Sequence, residues 1–185
     1  VFPMVFCILR GNGLIAKYVD RGSMVSLVAA PVKRQKIACT QASVLISGVI
    51  LLLGYATVLE IVVAQGGFPN ELEIAELLKL NSGLFCLLLF IAGICFLASC
   101  LFSDTRYSIG LGAGIPALMY VLQMLANAGE DAEKAKYFTF FTLFQPENLV
   151  AGKSRALMGV IILLIGGIAL FAAGIFLFCK KDLYI

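Results

Sequence analysis

Histidine is missing from all 185 residues. Without an imidazole, the chain can build neither a Ser–His catalytic pair nor a His-ligated metal centre. Charge is scarce as well: Asp, Glu, Lys and Arg make up 14% of the chain, against about 25% in a soluble domain. The formal net charge is only +3. The basic residues are scattered and carry no flanking aromatic platform, which argues against a nucleic-acid surface. The cysteines, Cys7, Cys39, Cys86, Cys95, Cys100 and Cys179, show no CxxC spacing and lie in or at the ends of apolar runs. They read as small packing residues. No GxxxxGK[ST] loop occurs, so no phosphate cradle for ATP hydrolysis is present in this polypeptide.

What the chain has in abundance is apolar surface. Hydrophobic residues reach 61%, more than one water-soluble core can hide. Lipid solvates such a surface, but it leaves no partner for an unpaired backbone group, so the spanning elements must be helices or a closed barrel. Barrel strands would appear as short alternating segments. The runs here are long and unbroken, so the sequence predicts an all-α integral membrane protein.

Four complete spans are expected, at about Ile37–Val63, Leu84–Phe102, Ile109–Ala126 and Leu157–Cys179. Each is close to the ~20 residues that a bilayer requires. The opening run, Val1 to Leu9, is too short to cross and lacks the basic flank of a secretory signal. It is expected to be the end of a truncated span closing near residue 16. Glycines punctuate the spans and permit close helix approach. Gly110, Gly112 and Gly114 sit in an apolar run, not in the strand–turn–helix setting of a dinucleotide loop. Pro116, in the same run, is expected to kink its helix and leave a backbone group for a neighbour to satisfy.

The spans separate flanks that alternate between two sides. One side receives Arg10, Lys17, Arg21, Lys33, Arg34, Lys36, Arg106, Lys180 and Lys181. The other receives Lys79, Lys134, Lys136, Lys153 and Arg155, with most of the acidic residues. The positive-inside rule assigns the first set, and the C-terminus with it, to the cytoplasm.

The cytoplasmic segment 17–36 carries the strongest local pattern. Asp20 or Ser23 can cap a helix start. Met24, Leu27 and Val28 make one apolar face. Pro31 stops the ladder and restricts Ala30 before it. Lys33, Arg34 and Lys36 then fall at headgroup level. The pattern describes a short amphipathic helix tethered between two spans. It either rests on the lipid or serves as a lever that docks on a soluble partner.

The strings that follow one another here resemble a known family. Val19-Asp-Arg-Gly-Ser-Met24, then Ala30-Pro-Val-Lys-Arg34 and on to Thr40-Gln41, is similar to the permease subunits of bacterial type-2 ATP-binding-cassette (ABC) exporters. So are Arg106-Tyr-Ser-Ile-Gly-Leu-Gly-Ala-Gly-Ile-Pro116 with Leu122-Gln-Met-Leu-Ala-Asn127, Thr142-Leu-Phe-Gln-Pro-Glu-Asn-Leu-Val-Ala-Gly152, and the closing Lys180-Lys-Asp-Leu183. The order is right and nearly the whole chain is covered. Such permeases keep both ends in the cytoplasm, and against that pattern this chain lacks the first span and part of the second.

The resemblance implies a pair of permease subunits, two copies or a copy and a paralogue, above separate cytoplasmic ATPases that bind ATP and Mg. It implies residence in the bacterial plasma membrane and no cofactor in this chain. It makes the helix from Asp20 to Ala30 the coupling helix, with Asp20, Arg21 and Met24 in ATPase contact and Gly22, Ser23 and Leu27 on the same element. Pro31 would end that helix and Arg34 would fix it against the membrane. A different class of protein uses similar spans, namely a non-transporting scaffold or immunity protein; it would have no need of an ATPase contact. An intramembrane enzyme is disfavoured, because no histidine and no paired carboxylates lie within the spans.

Three polar residues in or beside the spans invite a role. Glu60 lies near the outer end of the first complete span, as an ion-path residue or as one reaching the interface. Gln123 and Asn127 either line a substrate path or bond neighbouring helices. The outer segment 127–156 holds an aromatic stretch, Tyr137 to Phe144, expected as a re-entrant or interfacial helix or as part of an aromatic belt. Asn70 to Leu80 is expected as a separate short amphipathic helix, with Asn70 as cap and Glu73 three residues on.

Overall fold

Helix satisfies every backbone group within its own segment, and all regular structure among the described residues is helical. A computed structural model describes residues 2–14, 34–67, 73–102, 104–128 and 139–180. In chain order these form α1 (Phe2–Gly13), α2 (Arg34–Gly67), α3 (Ile74–Leu101), α4 (Thr105–Ala128), a single 3₁₀ turn (Phe140–Leu143), α5 (Pro146–Val150) and α6 (Ser154–Lys180). Among them α2, α3, α4 and α6 are long and apolar enough to cross a membrane. The chain is a multi-pass helical membrane protein.

The helices begin earlier than their apolar runs. α3 opens at Ile74, so residues 74–80 are the first turns of the span and not a separate amphipathic helix. Ala, Leu, Glu and Lys there are all strong helix formers, and nothing in the stretch breaks the ladder. Asn70, read as its cap, lies outside the described residues; Glu73 takes the cap position without a side-chain hydrogen bond. α4 opens at Thr105 because Asp104 caps it: its carboxylate accepts the Arg106 amide at 2.8 Å. The aromatic stretch does not make a helix of its own. Thr139 is extended and only Phe140–Leu143 closes into a 3₁₀ turn, before Pro146 takes the first position of α5.

α3 is the centre of the bundle. Two-thirds of its most apolar window, 67%, is buried, against 11% in α2, 17% in α4 and 22% in α6. The other helices surround it and show apolar faces outward, among them Leu51, Tyr55, Val63, Met158 and Ile165. That inversion fits a chain solvated by lipid. Hydroxyls on the exposed face of α2 bond back into their own helix, Thr40 to the Lys36 carbonyl and Ser43 to the Cys39 carbonyl. Lipid offers them no other partner.

The most extensive helix pairing is α3 with α6. A Cβ at Gly93 would stand 3.0 Å from Leu170 Cβ and 3.2 Å from the Gly167 carbonyl, and one at Gly167 would stand 3.2 Å from the Phe90 amide. Bare backbone on both sides permits this approach, the small-residue packing typical of membrane helices. Phe96 and Phe171 then pack across the same seam, tilted by 35° with centroids 5.2 Å apart.

Contacts along the chain fix the directions. α3 and α6 run parallel, with Phe90 beside Gly166 and Phe96 beside Gly174. α1 also runs parallel to α3: Gly11 abuts Cys95, and the Ser99 hydroxyl donates to the Asn12 carbonyl. α2 and α4 run the other way, as Asn81 meeting Thr57 and Cys95 meeting Gly112 require. One end of the bundle thus collects Arg10, Lys36, Arg106 and Lys180, the last with its ammonium 4.5 Å from the Phe176 ring centroid. The other collects Glu60, Glu73, Glu76 and Glu147 together with Lys79, Lys153 and Arg155. These are called the basic end and the acidic end below.

Candidate functional site

Among the described residues, three polar clusters interrupt the apolar bundle. The first lies at the acidic end, where the 3₁₀ turn is wedged between α3, α4 and α6. Phe140 packs on Phe90 at 5.2 Å, and Phe141 packs on Tyr120 at 5.8 Å. Gly159 leaves room for the Leu143 carbonyl, which any side chain there would strike. Gln123 of α4 anchors the turn: its carboxamide oxygen accepts from Thr139 at 2.5 Å and from Thr142 at 3.2 Å. The two hydroxyls lie 2.9 Å apart. Each has a single proton, so the shorter contacts form one relay, from Thr142 to Thr139 to Gln123.

A chain of amides continues from there. Gln145 donates to the Thr142 carbonyl at 3.2 Å, Asn148 donates to Gln145 at 2.7 Å, and Lys153 donates to Asn148 at 2.9 Å. Gln123, Thr142, Gln145 and Asn148 border a cavity of about 410 Å³, walled also by Phe141, Phe144, Pro146 and Glu147.

The second cluster joins α2 to α3. Asn81, almost fully buried, donates to the Thr57 hydroxyl at 3.0 Å and to a Glu60 carboxylate oxygen at 3.1 Å. Thr57 passes its own proton to the Leu53 carbonyl at 2.8 Å. Glu60 itself is exposed, about 10 Å short of the acidic end of α2. Below the trio an apolar groove of about 390 Å³ runs along Ile50, Leu53, Gly54 and Phe85.

The third cluster locks the basic end. Asn12, 1% exposed, donates to the Ile8 carbonyl at 2.9 Å, and its own oxygen faces the Ser108 hydroxyl at 3.5 Å. Gly112 passes directly against that carboxamide; a Cβ there would collide with Asn12 Oδ1. Beside it the Cys95 thiol donates to the Gly112 carbonyl at 3.1 Å. That carbonyl lies four residues before Pro116, which sits inside α4 and has no N–H to offer it. The expectation that a neighbour would satisfy a group freed by Pro116 is met by Cys95. The cysteine is thus more than packing, although all six thiols are free.

The residues singled out in the sequence fall in different places. Asp20, Arg21, Gly22, Ser23, Met24, Leu27 and Pro31 lie outside the described residues, and so does the helix expected there. Arg34 opens α2 and Asn127 lies in the last turn of α4, but neither side chain is among those described. Glu60 and Gln123 are not brought together. They belong to separate clusters with no lining residue in common, and α3 contacts both of their helices.

Sequence reasoning missed Asn12, Asn81, Thr139 and Thr142. Asn12 between two glycines and Asn81 among leucines were each a lone amide beside an apolar run, a signal that could have been used. No family model matches the chain, and no curated protein or solved structure matches it either.

Proposed function

We propose that this chain is the membrane-spanning permease subunit of a bacterial type-2 ABC exporter, driven by a separate cytoplasmic ATPase and paired with a second permease copy or paralogue. Its place is the plasma membrane, with the basic end and the C-terminus in the cytoplasm. ATP and Mg belong to the partner ATPase. In this reading ATP-driven movement of the partner is passed to the spans through the segment between Lys17 and Lys36.

The observation that carries the reading is the family-like string Val19–Arg34, read together with its two anchor points. It joins the Gly13 end of α1 to the Arg34 start of α2, at the end that also bears Arg106 and Lys180. A force-transmitting segment needs both attachments on the face where a soluble partner binds, and it needs stiff elements to push against. α1 leads into the Asn12 cluster, which ties it to α3 and α4, so displacement of its end would be felt by the central helix.

Charge reversal tests the proposal. Arg21→Glu and Arg34→Glu are expected to abolish co-purification of a cassette ATPase from detergent while the permease still accumulates in the membrane. A non-transporting scaffold would bring down no such ATPase and would be indifferent to either change.

A further inference from the structure

We propose that the acidic-end cavity is a binding site for a small organic cation carrying aromatic or aliphatic bulk. The inference stands on the cavity alone and does not depend on the transport reading.

At about 410 Å³ the space suits a small molecule. Its polar wall is largely committed. Gln145 and Asn148 each donate to a neighbour and accept from one, and the Gln123 oxygen receives the threonine relay. Glu147 differs. It borders the cavity, and among the described residues its carboxylate has no hydrogen bond or ion pair. Among the described residues no Lys or Arg lines the space; Lys153, tied into the network, is held on Asn148 and stands outside the lining. The rings of Phe141 and Phe144 complete the wall. Phe141 is braced by Phe140 at 4.6 Å and by Tyr120, and Phe144 backs onto Gly83 of α3.

An exposed carboxylate with no such partner, at the rim of a cavity walled by two braced rings, is complementary to an organic cation, attracted by the charge and by the aromatic wall. An anion would meet Glu147 and no counter-charge among the described lining residues. A neutral polar ligand would find most of the amides already engaged.

The probe is tetraphenylphosphonium, measured by equilibrium dialysis against the full chain in nanodiscs of zwitterionic lipid. Tetraphenylborate, of the same shape and opposite charge, is measured separately. Saturable binding of the phosphonium is expected, with the borate at least about tenfold weaker. Glu147→Gln is expected to weaken the phosphonium by about tenfold, and Phe141→Leu by about threefold. Glu147 is exposed and its carboxylate has no hydrogen bond or ion pair among the described residues, so an unchanged melting temperature should accompany its loss of binding. Absence of saturable binding, equal affinity for the two ions, or full affinity in Glu147→Gln would each overturn the proposal.

Discussion

Cys95 on α3 gives its thiol proton to the carbonyl of Gly112 on α4, at 3.1 Å, because Pro116 cannot. In lipid an orphaned carbonyl has no water to turn to, and a neighbouring helix must supply the donor. The thiol is a weak donor, yet it is buried at the right depth. The bond therefore depends on the proline. Cys95→Ala is expected to destabilise the protein by about 1 kcal/mol in an SDS-unfolding titration, through the lost bond and a small cavity. In a Pro116→Ala background, where the residue 116 amide can reach the same carbonyl, part of that cost should vanish. A coupling of about 0.6 kcal/mol between the two sites is expected; strict additivity would show that the thiol bond contributes nothing.

Three glycines on α4 offer a second comparison. Gly112 faces the Asn12 carboxamide, whereas a Cβ at Gly110 or Gly114 would meet nothing within 4 Å. Gly112→Ala must push Asn12 from its bonds with Ile8 and Ser108, at about 1–3 kcal/mol. Gly110→Ala and Gly114→Ala should be neutral or stabilising by up to about 1 kcal/mol, the helix propensity difference. Melting temperatures of the three variants in one detergent check the order. Equal shifts would mean that Asn12 does not pack as described.

These particulars were not visible in the sequence, although the frame was. The membrane-spanning character followed from apolar density, and the alternation of charge followed the chain through its turns. The first turns of α3 were read as a separate helix because Glu76, Lys79 and Asn81 thin the apolar signal there, while the backbone continues without a break. Gly110, Gly112 and Gly114 look alike in a string. Only a partner 100 residues upstream, Asn12, distinguishes the middle one. Gln123 was recognised as either packing or path, and it proved to hold the turn at Thr139 and Thr142 while also bordering a cavity. The hydroxyls it binds lie beyond a stretch that carries no local hint of their position.

Asn81 and Glu60 give a third prediction. Their hydrogen bond crosses from α3 to α2 beside the apolar groove. Asn81→Ala should cost about 1–2 kcal/mol, since Thr57 loses its donor in the same stroke. Glu60→Gln keeps an acceptor for Asn81 and should cost less. A double-mutant cycle of Asn81→Ala with Glu60→Ala should return a coupling near 0.6 kcal/mol, the usual size for a polar pair between membrane helices. Zero coupling would mean that Glu60 is held by the interface and not by Asn81.

The proposed function requires the stretch between α1 and α2 to lie on the cytoplasmic face, within reach of a soluble motor. The most direct measurement is cysteine labelling in living cells, with Cys39 and Cys179 first replaced by serine. Ser23→Cys and Lys153→Cys are each exposed to a membrane-impermeant maleimide. The account predicts that Lys153→Cys labels in intact cells and that Ser23→Cys labels only once the membrane is opened. Labelling of Ser23→Cys from the medium would contradict it.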